Sequence, residues 1–161
     1  MTRLPTLLFV ALFLLGACGS SDGSSTAGGC TAARTEPEAP DSLIHVLPGA
    51  EPSYPTDPPT SGPHQGWTAP AVLNRELSRP EQVGVLEVGD VLVQYRPTDI
   101  AADELGAITA SLPPRTHLAP NSELPQPVIL TAWLTKQSCE TLDADALARF
   151  AAEFTDRVQA H

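Results

Sequence analysis

The chain of 161 residues carries 9 basic and 19 acidic side chains, a formal net charge of −10, and contains 17 prolines, 11 glycines and 3 cysteines. The acidic balance excludes a nucleic-acid-binding protein, because such proteins need a basic surface for the phosphates. It also disfavours electrostatic attraction to anionic lipids. The prolines exclude an all-helical bundle, because proline interrupts helices. The length predicts one modest domain.

Residues 1–17 are typical of a secretory signal peptide. Arg3 supplies a positive charge, and residues 4–15 form an apolar run that is too short to span a bilayer of about 30 Å. The run ends in Leu-Gly-Ala-Cys at residues 15–18, which resembles the bacterial lipobox, in which the cysteine is acylated and becomes the new N-terminus. The alternative is an ordinary signal peptide with a chance cysteine. We expect a lipid on Cys18 to hold the protein at the cell membrane, on its extracytoplasmic side.

The remaining chain divides into a tether and a domain. Residues 18–29 comprise Cys18 and a Gly/Ser-rich stretch, which predicts a flexible tether. Residues 30–161 are predicted to form a single globular domain. With Cys18 lipidated, Cys30 and Cys139 are an even pair in an oxidising compartment, and we expect them to form a disulfide. Two free thiols are the alternative, and the lack of C-x-x-C spacing disfavours a zinc or redox site.

The first half of the domain is read as extended structure. Residues 43–47 predict a short strand. Residues 48–70 contain seven prolines, which predicts an extended, partly polyproline-II segment running over the domain surface. Residues 83–95 are rich in valine and predict strand, with Gly89-Asp90 forming either a hairpin turn or a bulge.

The second half alternates between helix and strand. Apolar residues at helical spacing predict a helix over 101–112, capped by Thr98 or Asp99. Short strands are predicted at 117–119 and 128–134. A last helix, with Asp143 as its N-cap, is predicted from an apolar stripe at Leu147, Phe150, Ala151, Phe154 and Val158. This order predicts an α+β fold with a small mixed or antiparallel sheet, two helices and a long Pro-rich loop.

One string in the Pro-rich segment is highly specific. It begins at Tyr54 and continues as Pro58, Pro59, Thr60, Ser61, Gly62, Pro63 and His64. This string resembles the P-P-T-S-G-P-H motif of bacterial domain-of-unknown-function family three-one-zero-five, whose members are mostly secreted or membrane-anchored. Further points of resemblance are Trp67, the Tyr-Arg-Pro at 95–97, the Thr-Ala-Trp at 131–133 and a terminal helix. The resemblance implies a class and a location, and no activity.

Many relatives also carry a segment similar to V-H-N-L-E-H-G, and here residues 83–89 read V-G-V-L-E-V-G. The motif histidine and the two histidines around the glutamate would make a metal site in those relatives. This chain retains His64 and Glu87, and His45, His117 and Asp57 are further candidate ligands for a divalent metal. The alternative is that His64 hydrogen-bonds the Pro-rich loop and Glu87 accepts from nearby backbone N–H groups.

Two other features have competing interpretations. Ser61 lies three residues before His64, which suggests a nucleophile and base, but Thr-Ser-Gly-Pro is read more simply as a turn whose hydroxyls bond the backbone. The aromatic side chains at 54, 67, 95 and 133 either line a groove for a ligand or pin the Pro-rich loop onto the sheet.

The sequence therefore predicts a lipid-anchored extracytoplasmic protein, a non-catalytic binding or structural domain at the cell envelope, with residues 51–67 as its functional surface. Its expected partners are the membrane, through Cys18, and an envelope protein or ligand of unknown identity, and no nucleic acid. The alternative is a metal-binding or metal-dependent protein with a degenerate histidine site. No cofactor other than that divalent metal is expected, and no catalytic residue is assigned.

Overall fold

The fold is an α+β arrangement of eight elements. The computed structural model describes residues 29–68 and 70–158, so the predicted signal peptide, Cys18 and most of the predicted tether lie outside the described residues. The elements in chain order are β1 (Arg34–Thr35), α1 (Arg79–Glu87), β2 (Val91–Tyr95), α2 (Ala102–Ala110), β3 (Thr116–Pro120), β4 (Val128–Ala132), β5 (Thr135–Cys139) and α3 (Ala144–Phe154). Within the described ranges, every helix is too short to cross a bilayer.

The five strands form one mixed sheet in the order β1-β5-β4-β2-β3. Only β2 and β3 are parallel, and α2 connects them, because parallel neighbours need a crossover between them. All other neighbours are antiparallel, and β4 and β5 form a hairpin. The small mixed sheet confirms the predicted fold class, with three helices in the described residues where two were predicted.

Side chains alternate between the two faces of the sheet, and each face has its own core. On one face Val93 and Leu130 pack against α3 through Phe150. On the other face Leu92 packs with α1 and with the partly buried rings of the Pro-rich segment. The helix α1 and the Pro-rich segment therefore share one side of the sheet, away from α2 and α3.

A disulfide between Cys30 and Cys139 closes the first of these cores. The two residues are 109 positions apart in sequence. Closing a loop of that length stabilises a fold by about 4–5 kcal/mol in the chain-entropy account. The bond ties the start of the described chain to the end of β5.

The strand prediction for residues 83–88 is wrong, because residues 83–87 belong to α1 and Val88 is its C-cap. Ser78 and Glu81 form a capping box at the N-terminus of α1, in which the Glu81 carboxylate accepts a hydrogen bond from the Ser78 backbone N–H at 2.8 Å. Pro80 lies in the first turn, where proline is tolerated. Residues 82–86 are all buried. A helix that is enclosed on most sides shows no 3.6-residue alternation of apolar and polar residues. Its valine-rich sequence therefore resembles that of a buried strand.

The strand predicted at residues 43–47 is also wrong. Only an isolated parallel bridge joins His45 to His64, and Leu43, Ile44 and Leu47 are exposed. Among the described residues, the segment pairs through this one bridge and is otherwise largely exposed, so it does not form a strand.

The later elements follow the prediction more closely. Helices α2 and α3 and strands β3 and β4 are confirmed, and the Asp143 side chain accepts from the Ala146 N–H at 2.7 Å as the N-cap of α3. The predicted cap of α2 is wrong, because Asp99 pairs with Arg96 and the helix begins after Ala101. Strand β5 was missed. Val158 lies beyond α3 and is exposed.

Helix α1 approaches the backbone of the Pro-rich segment at Gly84. A Cβ atom at this position would lie 2.1 Å from the Gln65 carbonyl oxygen, well inside contact distance. The Gln65 N–H also donates to the Pro80 carbonyl at 3.1 Å, which holds the two segments together. Only glycine allows this approach.

We expect Gly84→Ala to lower the free energy of unfolding by about 1–3 kcal/mol, because the added methyl group overpacks a rigid backbone contact. Gly106→Ala is the matched control, since Gly106 lies in α2 with no atom within 4 Å of its added Cβ. There the same substitution should raise the free energy of unfolding by about 0.5–1 kcal/mol. Denaturant unfolding measures both, and an equal effect at the two positions would contradict the close approach.

Candidate metal centre

The Pro-rich motif is buried. All residues from Pro58 to His64 are buried, so this part of the stretch does not run over the surface as predicted, whereas residues 48–57 are exposed or half-buried and do. That residues 51–67 are a functional surface stays a prediction. Its backbone is satisfied by the neighbouring chain, since the Leu134 N–H donates to the Thr60 carbonyl at 3.1 Å. Gly62 has φ +129° and lies under the ring of Tyr54, so this position requires glycine.

The motif fixes the imidazole of His64 in one orientation. The residue is 1% exposed, and its Nδ1 lies 2.9 Å from the Gly62 carbonyl oxygen. A carbonyl only accepts, so Nδ1 carries the proton and donates, and Nε2 keeps its lone pair. Among the described residues Nε2 has no hydrogen-bond partner, although it is buried. This combination is what a metal-ligating histidine needs.

His45 reaches the same place from the peripheral segment. The Val46 N–H donates to the His64 carbonyl at 2.8 Å, and the His64 N–H donates to the Ile44 carbonyl at 2.9 Å. These two bonds align the backbones and bring the two imidazole rings to 4.5 Å between centroids, edge to face at 65°. The side chain of His45 is exposed, so its ring can still adjust.

Glu87 is the last residue of α1 and is half-buried. Within residues 29–68 and 70–158 its carboxylate forms no ion pair with lysine or arginine. The turn that follows it is held by Arg115, which donates through Nη2 to the Val88 carbonyl at 2.6 Å and through Nε to Asp90 at 2.7 Å. Arg115 thus fixes the end of the helix that presents Glu87.

The three side chains converge. One ligand atom each from His45, His64 and Glu87 lies within 4.8 Å of the other two. Zinc bonds of about 2.0–2.2 Å in tetrahedral geometry place ligand atoms about 3.4 Å apart. The observed upper limit of 4.8 Å is therefore wider than a closed zinc site, and of the three side chains that of His45 is exposed. Two imidazoles and one carboxylate are a donor set that binds divalent transition metals.

The other two candidate ligands lie elsewhere. His117 contacts Asp90 through Nε2 at 2.8 Å and the Pro70 carbonyl through Nδ1 at 3.2 Å, and the ring of Trp67 meets its edge. Asp57 pairs with Arg79 at 2.9 Å. Both side chains are therefore engaged in contacts away from the three-residue cluster. Sequence reasoning did not find the Arg115–Asp90–His117 network, because its members are far apart in the chain and follow no motif.

The remaining motif side chains stabilise the loop. The Ser61 hydroxyl accepts from the Ala39 N–H at 2.8 Å, 22 positions away in sequence, whereas the buried Thr60 hydroxyl has no hydrogen-bond partner among the described residues. The Tyr54 hydroxyl donates to the Pro63 carbonyl at 2.6 Å, and Tyr54 and Trp67 pack against the α1 side of the core. These contacts favour the interpretation in which the aromatic residues pin the Pro-rich segment onto the domain.

Comparison with known proteins identifies one family. A family described as "Protein of unknown function (DUF3105)" matches residues 45–161, which is more than half of the chain. The matched range begins at His45 and includes His64 and Glu87. No curated protein and no solved structure shows a significant match.

The contact between Tyr54 and the motif predicts a pH dependence. Burial raises the pKa of Tyr54 to about 12, and the positive charge of Arg79 opposes the shift in part. Between pH 10 and 12 the folded chain therefore keeps a proton that the unfolded chain loses, so stability falls as pH rises.

Tyr54→Phe should lower the free energy of unfolding by about 0.5–1.5 kcal/mol at neutral pH. The difference from the wild type should shrink above pH 10.

Tyrosinate absorbance and denaturant unfolding across this pH range measure both effects. Tyr95→Phe is the control, because it leaves the motif contact in place and removes the only other tyrosine of the chain. Ionisation of Tyr54 close to pH 10 in the folded Tyr95→Phe variant would contradict the predicted burial.

Proposed function

The chain belongs to the DUF3105 family of proteins of unknown function, and on that premise we propose that it is a divalent-metal-binding protein of the cell envelope, anchored by a lipid on Cys18. The anchor and the extracytoplasmic location are proposed from the lipobox-like sequence at residues 15–18. The metal-binding role is proposed from the cluster of His45, His64 and Glu87.

A single observation carries the metal-binding role. The Nε2 atom of His64 is buried and has no hydrogen-bond partner among the described residues, while Nδ1 is held by the Gly62 carbonyl. An unpaired buried nitrogen destabilises a fold by about 1–3 kcal/mol. Coordination to a metal ion would remove that penalty, and the proposal is supported by His45 and Glu87, each with a ligand atom within 4.8 Å of one on His64.

The donor set favours a particular kind of ion. Two imidazole nitrogens and one carboxylate suit Zn²⁺, Cu²⁺ or Ni²⁺, whereas Ca²⁺ and Mg²⁺ prefer oxygen ligands throughout. Within residues 29–68 and 70–158 no thiolate is available to favour Cu⁺, because Cys30 and Cys139 are joined in a disulfide. We take Zn²⁺ as the first ion to test.

The full chain, purified in detergent without a histidine tag, should bind one Zn²⁺ per molecule. His64→Ala and Glu87→Gln should each weaken binding by more than about 100-fold, since even an outer-shell partner is worth 10–100-fold. Zinc at about 100 times its dissociation constant should raise the free energy of unfolding by about 2.7 kcal/mol. Equilibrium dialysis with metal analysis and thermal unfolding make the two measurements.

A matched variant separates coordination from general damage. Glu153→Gln changes an exposed glutamate on α3, outside the cluster. It should keep one zinc per chain. Wild-type protein that binds no transition metal, or variants at 64 and 87 that bind as the wild type does, would overturn the metal-binding role.

The anchor is tested separately. In a bacterial host the full chain should be found in the membrane fraction, beginning at an acylated Cys18, because buried acyl chains add about 0.8 kcal/mol per methylene to membrane binding. Cys18→Ser should release it from the membrane, whereas Ser21→Ala in the same segment should not. Mass spectrometry of the mature N-terminus is the measurement, and an unmodified Cys18 in membrane-bound protein would refute the anchor.

A further inference from the structure

The three side chains of the cluster differ in how deeply they lie in the domain. His64 is 1% exposed and forms the floor of the cluster. Glu87 is half-buried, and His45 is exposed. An ion that is bound by all three would therefore have protein on its inner side and solvent on its outer side.

The number of ligands leaves the coordination shell incomplete. Within residues 29–68 and 70–158 the cluster consists of three ligating side chains. Zinc sites with a structural role are closed by four protein ligands, whereas sites with three protein ligands keep a position for an exchangeable ligand. The two residues on each side of His45 in sequence are aliphatic, and none of them can supply a fourth donor atom; they are Leu43, Ile44, Val46 and Leu47.

Charge indicates which ligand this position would take. Two neutral imidazoles, one carboxylate and a divalent ion sum to a local charge of +1. The whole chain carries a formal net charge of −10. Electrostatics therefore disfavours binding of an anion to the metal-free protein, whereas the ion creates one positive, solvent-facing position.

From this geometry we infer that the ion held by His45, His64 and Glu87 keeps one coordination position open to solvent, and that this position binds a compact anion through a nitrogen or oxygen donor atom. The inference rests on the proposed metal binding and adds to it the chemical class of the exchangeable ligand.

Cobalt(II) provides the test, because its visible absorption bands report the number and type of its ligands. The full chain in detergent is loaded with one Co²⁺ and titrated with azide, while dialysis checks that the cobalt stays bound. We expect the bands to shift and to saturate at one azide per cobalt. The Glu153→Gln variant, which leaves the cluster intact, should show the same shift.

The outcomes separate the two proposals. If one Co²⁺ binds and azide at saturating concentration leaves the bands unchanged, the open position is refuted and metal binding stands. If azide removes the cobalt from the protein, the open position is likewise refuted. If no Co²⁺ binds and Zn²⁺ does not bind either, the proposed function itself fails, and the inference fails with it.

Discussion

Helix α1 lies so close to the Pro-rich segment that a Cβ atom at position 84 would come within 2.1 Å of the Gln65 carbonyl oxygen. That contact places the last turn of α1 beside the residue that follows His64 in the chain. Glu87 and His64 are 23 positions apart in sequence, and they meet because two backbones can approach only where one of them has no side chain. The candidate metal centre therefore requires this close packing, because the packing brings Glu87 near His64.

The same packing explains why the motif is buried. A proline-rich stretch has few backbone N–H groups to satisfy, so it can enter a core without a helix or a sheet to pair with. Two of its polar side chains have backbone partners, Ser61 with the Ala39 N–H and Tyr54 with the Pro63 carbonyl. The carbonyl of Gly62 then selects one tautomer of His64. The contacts that hold the loop therefore also set the orientation of the His64 ring in the cluster.

The charged residues next to Glu87 pair with one another and not with Glu87. Next to the α1–β2 turn, Asp90 pairs with both Arg115 and His117. The carboxylate of Glu87 has no cationic partner among the described residues. The neighbouring network holds the backbone, and the glutamate remains available to a ligand. In a chain with a net charge of −10, a divalent ion is also the kind of species that the protein attracts.

The sequence alone determined the family, through a contiguous motif that ends at His64, and the α+β class, through local periodicity in α2, β4 and α3. It also named His45, His64 and Glu87, but among five candidates it could not choose, because the distance between residues far apart in the chain is set by packing. Tertiary structure decided that His117 and Asp57 lie elsewhere, that residues 83–87 are helix, and that the motif is buried. For residues 83–87, burial on several sides removed the periodic pattern that would have predicted a helix. The positions of His117 and Asp57 depend on contacts between residues far apart in the chain, which local patterns do not encode.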